Sequence, residues 1–113
     1  MGLVTEETVS GEDIYLLALN PTHESKIRKT KPCVIVSPEE LNAHLRTFIT
    51  APLTTGGCPY PLRIRCQFDG KAGHVVADQL GAVDRDRLIK LLGILPDYTL
   101  VEILIVMQAM FTV

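Results

Sequence analysis

The sequence predicts a mainly β domain with some α structure (α+β), built as a small barrel or compact sheet. Short apolar segments follow one another at close spacing, and turns rich in glycine and proline separate them. A longer apolar segment near the C-terminus has the length of a helix. Because 113 residues suffice for one ordinary domain and not for two, we expect residues 1–113 to form a single domain, with residues 1–10 as a flexible tail.

The first three strands are predicted from apolar stretches that end at turn signals. Residues 13–19 (DIYLLAL) stop at the Asn-Pro pair of residues 20–21. Residues 32–37 (PCVIVS) form a continuous apolar run, typical of a strand buried on both faces. Residues 47–53 (TFITAPL) are ended by the Thr-Thr-Gly-Gly sequence of residues 54–57.

The remaining strands lie in the second half of the chain. Residues 62–68 alternate apolar and polar side chains, which indicates a half-buried antiparallel strand whose outer face carries Arg63 and Arg65. An Asp-Gly turn follows, and residues 74–83 are predicted as the next strand. Residues 90–95 make the last predicted strand.

Helices are predicted at three places. Ser37 as the cap and Pro38 at the first helical position, followed by two glutamates, predict a short helix to about Leu45. Residues 84–88 are predicted as a helical turn. A Pro-Asp pair then opens a final helix that ends near Phe111.

The final helix is apolar on nearly all of its surface, from Leu100 to Phe111. A surface helix of a small monomer has one polar face, and a domain of this length has no room to bury both faces of such a helix. We therefore expect one face to pack on the barrel and another to pack on a second copy of the chain, giving a homodimer.

The cysteines and the termini exclude several classes of protein. The sequence has an odd number of cysteines, three, and none of them form a CxxC pair: Cys33, Cys58 and Cys66. Neither a disulfide framework nor a thiolate zinc site is therefore expected. Cys33 and Cys66 lie in strand-like segments, where a free thiol acts as a small core side chain, and reduced thiols fit the cytoplasm. The acidic N-terminus lacks the pattern of a signal peptide, and residues 98–113 are shorter than the ~20 residues of a membrane span.

Charge is distributed unevenly along the chain. A net charge of −2 does not favour a protein that coats nucleic acid, but a net charge does not describe local patches. Residues 23–31 carry four cations against one acid, Glu24. The four cations are Lys26, Arg28, Lys29 and Lys31. Two interpretations stay open: a solvated loop, or a site in which flexible cations bind phosphates.

Motifs for a metal or a nucleotide cofactor are absent from the sequence. It contains no HExxH, no phosphate-binding glycine loop and no nucleophile elbow, so we expect no cofactor and no metal. Asp78 and Gln79 are predicted inside an otherwise apolar strand, where a charge requires either a structural salt bridge or a functional role. On that strand His74 and Asp78 would lie ~13 Å apart, too far to share a metal or a proton.

Four segments carry a resemblance to a known family. They read DIYLLALNPT, RKTKPCVIVSPEELN, APLTTGGCPYP and FDGKAGHVVADQLGAVDRDRL, and together they cover nearly the whole chain in register. The segments are residues 13–22, 28–42, 51–61 and 68–88. With these motifs the sequence resembles the MazF/PemK family, the toxins of bacterial type II toxin–antitoxin pairs. The resemblance implies an SH3-like barrel with a C-terminal helix, a homodimer, and a cytoplasmic location.

The resemblance also implies an activity. Such a protein is a sequence-specific, metal-independent endoribonuclease that cleaves single-stranded mRNA through attack of the ribose 2′-OH, which leaves a 2′,3′-cyclic phosphate and a 5′-OH. That reaction needs a base for the 2′-OH, a cation for the phosphorane and an acid for the leaving oxygen. The implied partners are single-stranded RNA and a cognate antitoxin, whose disordered tail would order in the basic groove.

The family's catalytic positions fall on two residues of this sequence. One is Lys31, where the family has an arginine, and the other is Thr54. A lysine supplies charge but not the planar, two-pronged donor of arginine. The Asp-Gln pair of the family falls on Asp78 and Gln79, and Lys26 stands where a glutamate is usual. The RNA-binding candidates are His23, Ser25, Lys26, Arg28, Lys29, Thr55, Asp78 and Gln79.

Two other functions remain as alternatives. The first is a non-catalytic or weakly active member of the same fold that inhibits another protein, as the topoisomerase-poisoning CcdB relatives do, and the changes at Lys26 and Lys31 favour it. The second is a barrel that binds RNA without cleaving it, which would show a steep dependence of binding on salt.

Overall fold

The computed structural model describes residues 9–18, 29–55 and 63–112, which form an antiparallel β sheet followed by a helix. The strands are β1 (Asp13–Ala18), β2 (Thr30–Ile35), β3 (Thr47–Thr55), β4 (Arg63–Phe68), β5 (Lys71–Val76), β6 (Gly81–Asp84) and β7 (Leu88–Ile94). The helices are α1 (Glu39–Asn42) and α2 (Asp97–Met110), and short 3-10 helices cover Ala77–Gln79 and Arg85–Arg87. This architecture confirms the predicted fold class, mainly β with some α.

Strand β3 organises the sheet, whose order is β4-β5-β3-β2-β1-β7, with β6 also paired to β3. Its first residues, 47–50, pair with β6, its middle residues pair with β2, and its last residues, 53–55, pair with β5. Every pair is antiparallel. Because β4 and β7 stand at the two ends of the order, the sheet is an open, curled one, consistent with a small barrel.

Two clusters of buried apolar side chains form the core. The first cluster includes Ile14, Leu53, Val75 and Ile64, and α2 packs against it through Ile103, which is fully buried. The second cluster is made by Val9, Tyr15, Leu17, Cys33, Ile35, Phe48 and Leu88. Neighbouring residues of β1 and β2 belong to different clusters, so both faces of these strands are buried, as the continuous apolar run in β2 predicted.

The segment before β3 is held by a buried polar side chain, Asn42. Its Nδ2 donates to the carbonyl oxygens of Val9 (2.8 Å) and Ser37 (3.0 Å), and the Ser37 hydroxyl donates to its Oδ1 at 2.6 Å. Ser37 therefore does not cap α1 as the sequence predicted, since Pro38 takes the cap position. The hydroxyl instead bonds within this network and accepts from the Ile49 amide at 3.1 Å. Helix α1 also ends at Asn42, three residues earlier than predicted.

The predicted strand over residues 74–83 is wrong in its middle. Strand β5 ends at Val76, Ala77–Gln79 form a 3-10 helix, and β6 begins at Gly81. The pairing with β3 shifts by three residues between β5 and β6, which is the length of the 3-10 insertion. Of the three inserted residues, Asp78 and Gln79 are polar and exposed, while Ala77 stays in the core.

Other element limits differ from the predictions by a few residues. Strand β2 begins at Thr30 and β7 at Leu88, each two residues before the predicted start, and β3 continues to Thr55. The alternation predicted for β4 is confirmed over the described residues, with Ile64 buried and Arg65 exposed. Helix α2 starts where it was predicted, and none of the described helices is long and apolar enough to cross a membrane.

Candidate functional site

The two threonines predicted at the site lie near the end of β3 rather than in a turn after it. Thr54 is half-buried and pairs with His74 of β5, while Thr55 is exposed and pairs with Gly73. Leu53, next to Thr54, points into the first core cluster, so Thr54 faces the opposite side of the sheet. The hydroxyl of Thr54 is thus held on a regular strand of the sheet, which fixes its position more precisely than a loop would.

Gly73 is required for the close approach of β5 to Thr54. A Cβ atom at this position would collide with the Thr54 carbonyl oxygen and would also lie 3.1 Å from the ring of Phe68. Any side chain here would push β5 away from β3. The absence of a side chain at residue 73 therefore helps to set where Thr54 stands relative to β5.

Lys31, the second predicted catalytic residue, belongs to β2 and not to the preceding loop, which corrects its predicted context. It pairs with Leu17 of β1 and lies on the same face of β2 as Cys33. Cys33 in turn pairs with Pro52 of β3. The β2–β3 pairs end at Cys33 and Pro52. From the same register, extended by two residues, we infer that Lys31 is level with Thr54 and on the same face of the sheet.

Electrostatics at Cys33 support this orientation of Lys31. Burial raises the pKa of the Cys33 thiol to about 11, and a hydrogen bond with Thr50 and the positive charge of Lys31 act in the opposite direction. The Lys31 ammonium is therefore close enough to interact electrostatically with the Cys33 sulfur. Burial likewise raises the pKa of Cys66 to about 11. Cys33 is buried in the core as predicted, Cys66 is half-buried against the first core cluster, and Cys58 lies outside the described residues.

Asp78 and Gln79 lie in the 3-10 helix that follows β5, and both are exposed. The prediction that they occupy a buried position inside a strand is wrong, because the turn directs both side chains to solvent while Ala77 fills the core. No salt bridge is needed to offset burial of Asp78. The ~13 Å separation between His74 and Asp78 was predicted for two residues on one strand. It does not apply here, because Asp78 lies in a 3-10 helix, which rises only about 2 Å per residue.

The basic loop is described only at its end. Lys29 is exposed immediately before β2, and Thr30 and Lys31 form the start of that strand. The RNA-binding candidates His23, Ser25, Lys26 and Arg28 lie outside the described residues. Of the predicted site residues, the structure thus brings Lys31, Thr54 and Thr55 to one end of β2 and β3, with Asp78 and Gln79 beyond the end of β5.

Two residues at this end of the sheet were not among the predicted site residues. His74 pairs with Thr54 on one side and with Arg65 of β4 on the other, so the three side chains stand in a row across three strands. Both His74 and Arg65 also line an opening of about 800 Å³ that extends to Tyr98 at the start of α2. The cationic outer face of β4 was a signal for Arg65, whereas nothing in the sequence indicated the strand pairing that places His74.

No three metal-ligating side chains come together in residues 9–18, 29–55 and 63–112. The outer side of α2 is apolar instead: Tyr98, Val101 and Ile105 recur at helical spacing and are 75%, 53% and 59% exposed. Thr99 and Ile103, on the opposite side of the helix, are buried. The helix therefore has apolar side chains on both faces, as the sequence predicted.

Comparison with protein families identifies the class of this chain. The model of the PemK-like, MazF-like toxins of type II toxin–antitoxin systems matches residues 11–111, nearly the entire chain. The chain belongs to this family. The matched range contains the positions of Lys31, Thr54 and the Asp78–Gln79 pair, and no curated protein sequence matches the chain significantly.

Solved structures described as endoribonucleases or as MazF share its fold. An endoribonuclease from a mycobacterial species is 23% identical, with a TM-score of 0.75 over 91% of this chain and 90% of that one. A structure of the same kind in complex with its cognate antitoxin is 22% identical, with a TM-score of 0.73 over 89% and 92% of the two chains. A MazE–MazF structure from Deinococcus radiodurans is 21% identical, with a TM-score of 0.80 over 92% and 96%. At these identities the comparison establishes the barrel-like fold.

Proposed function

We propose that this PemK/MazF-type toxin is a sequence-specific endoribonuclease that cleaves single-stranded mRNA in the cytoplasm without a metal ion. The observation that carries the proposal is the family match over residues 11–111. Structures with the same fold that are named as endoribonucleases support it. The β2–β3 register, extended by two residues, supports a site in which the Lys31 cation and the Thr54 hydroxyl share one face of the sheet.

The reaction we propose uses the RNA's own 2′-hydroxyl as nucleophile. Attack on the adjacent phosphorus breaks the bond to the 5′-oxygen and leaves a 2′,3′-cyclic phosphate. Negative charge grows on the phosphoryl oxygens in the transition state, and a positioned cation and hydroxyl stabilise it. In this account Lys31 supplies the charge and the Thr54 hydroxyl supplies a hydrogen bond to a phosphoryl oxygen. Thr55, Lys29, Asp78 and Gln79 border the same end of the sheet and contact flanking nucleotides.

The partners follow from the two exposed surfaces of the chain. The apolar outer face of α2 is the dimer contact we propose, because a second copy of the chain would cover it. The cationic end of β2 suits an acidic or amphipathic antitoxin tail that orders on binding. Structures of this fold that are described as complexes with a cognate antitoxin support the second assignment.

Cleavage of a long RNA of mixed sequence in EDTA tests the proposal. The wild-type chain is expected to cut this RNA at a small number of sites, and Thr54→Ala is expected to slow the cutting by about 100-fold or more, the usual effect of removing a donor to a developing oxyanion. Thr47→Ala is the matched control, since Thr47 is an exposed threonine at the other end of β3. RNA that is bound but left intact would favour the RNA-binding alternative over an enzyme.

A further inference from the structure

The side chains of Thr54, His74 and Arg65 form a row across three strands, and these residue types suit proton transfer. Thr54 pairs directly with His74, and His74 pairs directly with Arg65. Directly paired residues of antiparallel strands have Cβ atoms about 4.5–5.5 Å apart and point to the same face. An imidazole therefore stands between the proposed catalytic hydroxyl and a guanidinium, with no intervening strand.

The burial of these residues agrees with a site open to a ligand on one side. Val75 and Ile64 are the inward-facing neighbours of His74 and Arg65, and both are buried in the first core cluster. His74 is half-buried and Arg65 is exposed, so the core fixes the strands while these two residues line the opening toward α2. That opening, about 800 Å³ in volume, has room for a nucleotide beside His74 and Arg65.

The proposed reaction requires a general base, which neither of the two predicted catalytic residues, Lys31 and Thr54, supplies. A threonine hydroxyl is too weak a base to take the proton of a ribose 2′-OH, and a lysine ammonium is already protonated. Imidazole ordinarily exchanges a proton between pH 5 and pH 8, which suits it to general base catalysis at neutral pH. His74 is the imidazole that the strand pairing puts beside Thr54.

We propose that His74 is a further catalytic residue that acts as the general base of RNA cleavage, with Arg65 binding the phosphate at the same step. This inference rests on the proposed endoribonuclease function. The neutral imidazole takes the proton of the 2′-OH, the 2′-oxygen forms a bond to phosphorus, the bond from phosphorus to the 5′-oxygen breaks, and that oxygen takes a proton from water. The Arg65 guanidinium neutralises charge on the phosphoryl oxygens, a task for which the Lys31 ammonium alone is less suited.

The charged and titratable groups around His74 come from several elements. Arg65 faces it from β4, Lys31 lies on the same face beyond Thr54, Asp78 follows in the 3-10 helix, and Tyr98 borders the same opening from α2. A change in the pH profile that appears only in a His74 variant, and not in the wild-type chain, is assigned to His74.

Single-turnover cleavage of an RNA oligonucleotide containing a mapped cut site, measured from pH 5 to pH 8.5, tests the role of His74. The wild-type rate is expected to rise with pH and level off. His74→Gln is expected to lower the plateau by about 100-fold or more and to remove the rise, and added imidazole is expected to restore part of the rate of His74→Ala. Binding of the same oligonucleotide with a 2′-deoxyribose at the cut site should change less than threefold. His44→Gln is the matched control, because His44 is exposed after α1 and distant in sequence from the row.

Arg65→Gln is expected to weaken binding of the uncleavable oligonucleotide and to reduce the salt dependence of that binding by about one charge. Lys71→Gln changes net charge equally and lies on the opposite face of the same β4–β5 hairpin, so it should affect binding less. A His74→Gln variant that cuts at the wild-type rate with the wild-type pH profile would overturn the role of His74 and leave the endoribonuclease proposal intact. A wild-type chain that cuts no RNA would overturn both.

Discussion

The main chain of Gly73 lies directly against the carbonyl oxygen of Thr54 in the pairing of β5 with β3. A Cβ atom at residue 73 has no space, because the Thr54 carbonyl on one side and the Phe68 ring on the other already occupy it. The position of the proposed catalytic hydroxyl thus depends on a residue that carries no functional group. The close contact between Gly73 and Thr54 also explains how Thr54 is held in place although this end of the sheet is exposed.

Replacing Gly73 with alanine should therefore affect both stability and cleavage. We expect a loss of about 1–3 kcal/mol in the free energy of unfolding from the forced separation of β3 and β5, and a fall in cleavage rate because Thr54 moves. Urea denaturation and RNA cleavage at saturating RNA measure the two effects. Gly81→Ala is the control, since a Cβ there would meet no atom within 4 Å. Equal stability of the two variants would contradict this account.

The lysine at position 31 predicts a gain of function. Lys31→Arg should raise the cleavage rate several-fold, because a guanidinium can bind two phosphoryl oxygens at once. Lys31→Ala should lower it by about 100-fold. Lys90→Ala, which removes an exposed cation from β7, serves as the control for charge. Undiminished cutting by Lys31→Ala would remove Lys31 from the catalytic site.

The outer face of α2 predicts the oligomeric state. Ile105→Glu should convert a dimer into monomer at micromolar concentration, since an unpaired charge buried in an interface costs about 3 kcal/mol or more, equal to over 100-fold in the dissociation constant. Light scattering during gel filtration measures the mass. Leu41→Glu makes the same change at an exposed apolar residue on α1 and should leave the mass unchanged. A wild-type chain that is monomeric at this concentration would contradict the proposed contact.

The carboxyl groups of Glu12 and Asp97 predict how the free energy of unfolding depends on pH. A hydrogen bond with Asp97 raises the pKa of Glu12 above its ordinary 4.5, and burial and the nearby negative charges add to this effect. The protonated form thus favours the folded state, so this contribution is complete below pH 4.5 and is lost as pH rises through the raised pKa. Burial also raises the pKa of Asp13, which acts in the same direction.

Glu12→Gln should therefore stabilise the chain at pH 7 by less than ~1 kcal/mol, because an amide can donate to Asp97 at every pH and the pair is solvent-screened. The gain should vanish at pH 4. Urea midpoints at the two pH values measure it, and Glu40→Gln in the exposed first turn of α1 is the control. A gain that is the same at both pH values would show that the effect does not come from this ionisation.

Most of the fold could be predicted because its signals are local. The alternation that ends at Phe68 and the Pro-Asp pair before α2 each depend on neighbouring residues, and both predictions are confirmed. The interruption after Val76 could not be predicted in the same way, because the apolar residues on both sides of Asp78 fit one continuous strand. Only the register against β3 shows that three residues are inserted there.

The site was predicted less completely because it depends on pairing between distant strands. Thr54 and Lys31 were found through family motifs, which record residue types along the chain. His74 is twenty residues from Thr54 in sequence, and its neighbour in space is decided by the β3–β5 register alone. Ser37 was wrongly predicted as a cap because the partner that its hydroxyl prefers, Asn42, is a buried side chain that no capping pattern reveals.

The chemistry of the fragment ends tests the central claim most directly. A long RNA incubated with the wild-type chain in EDTA should yield fragments with 2′,3′-cyclic phosphate and 5′-hydroxyl ends, because the 2′-OH is the nucleophile, and Thr54→Ala should yield at least about 100-fold fewer in the same time. RNA that stays intact across many sequence contexts, or fragments with 3′-hydroxyl and 5′-phosphate ends, would contradict the account.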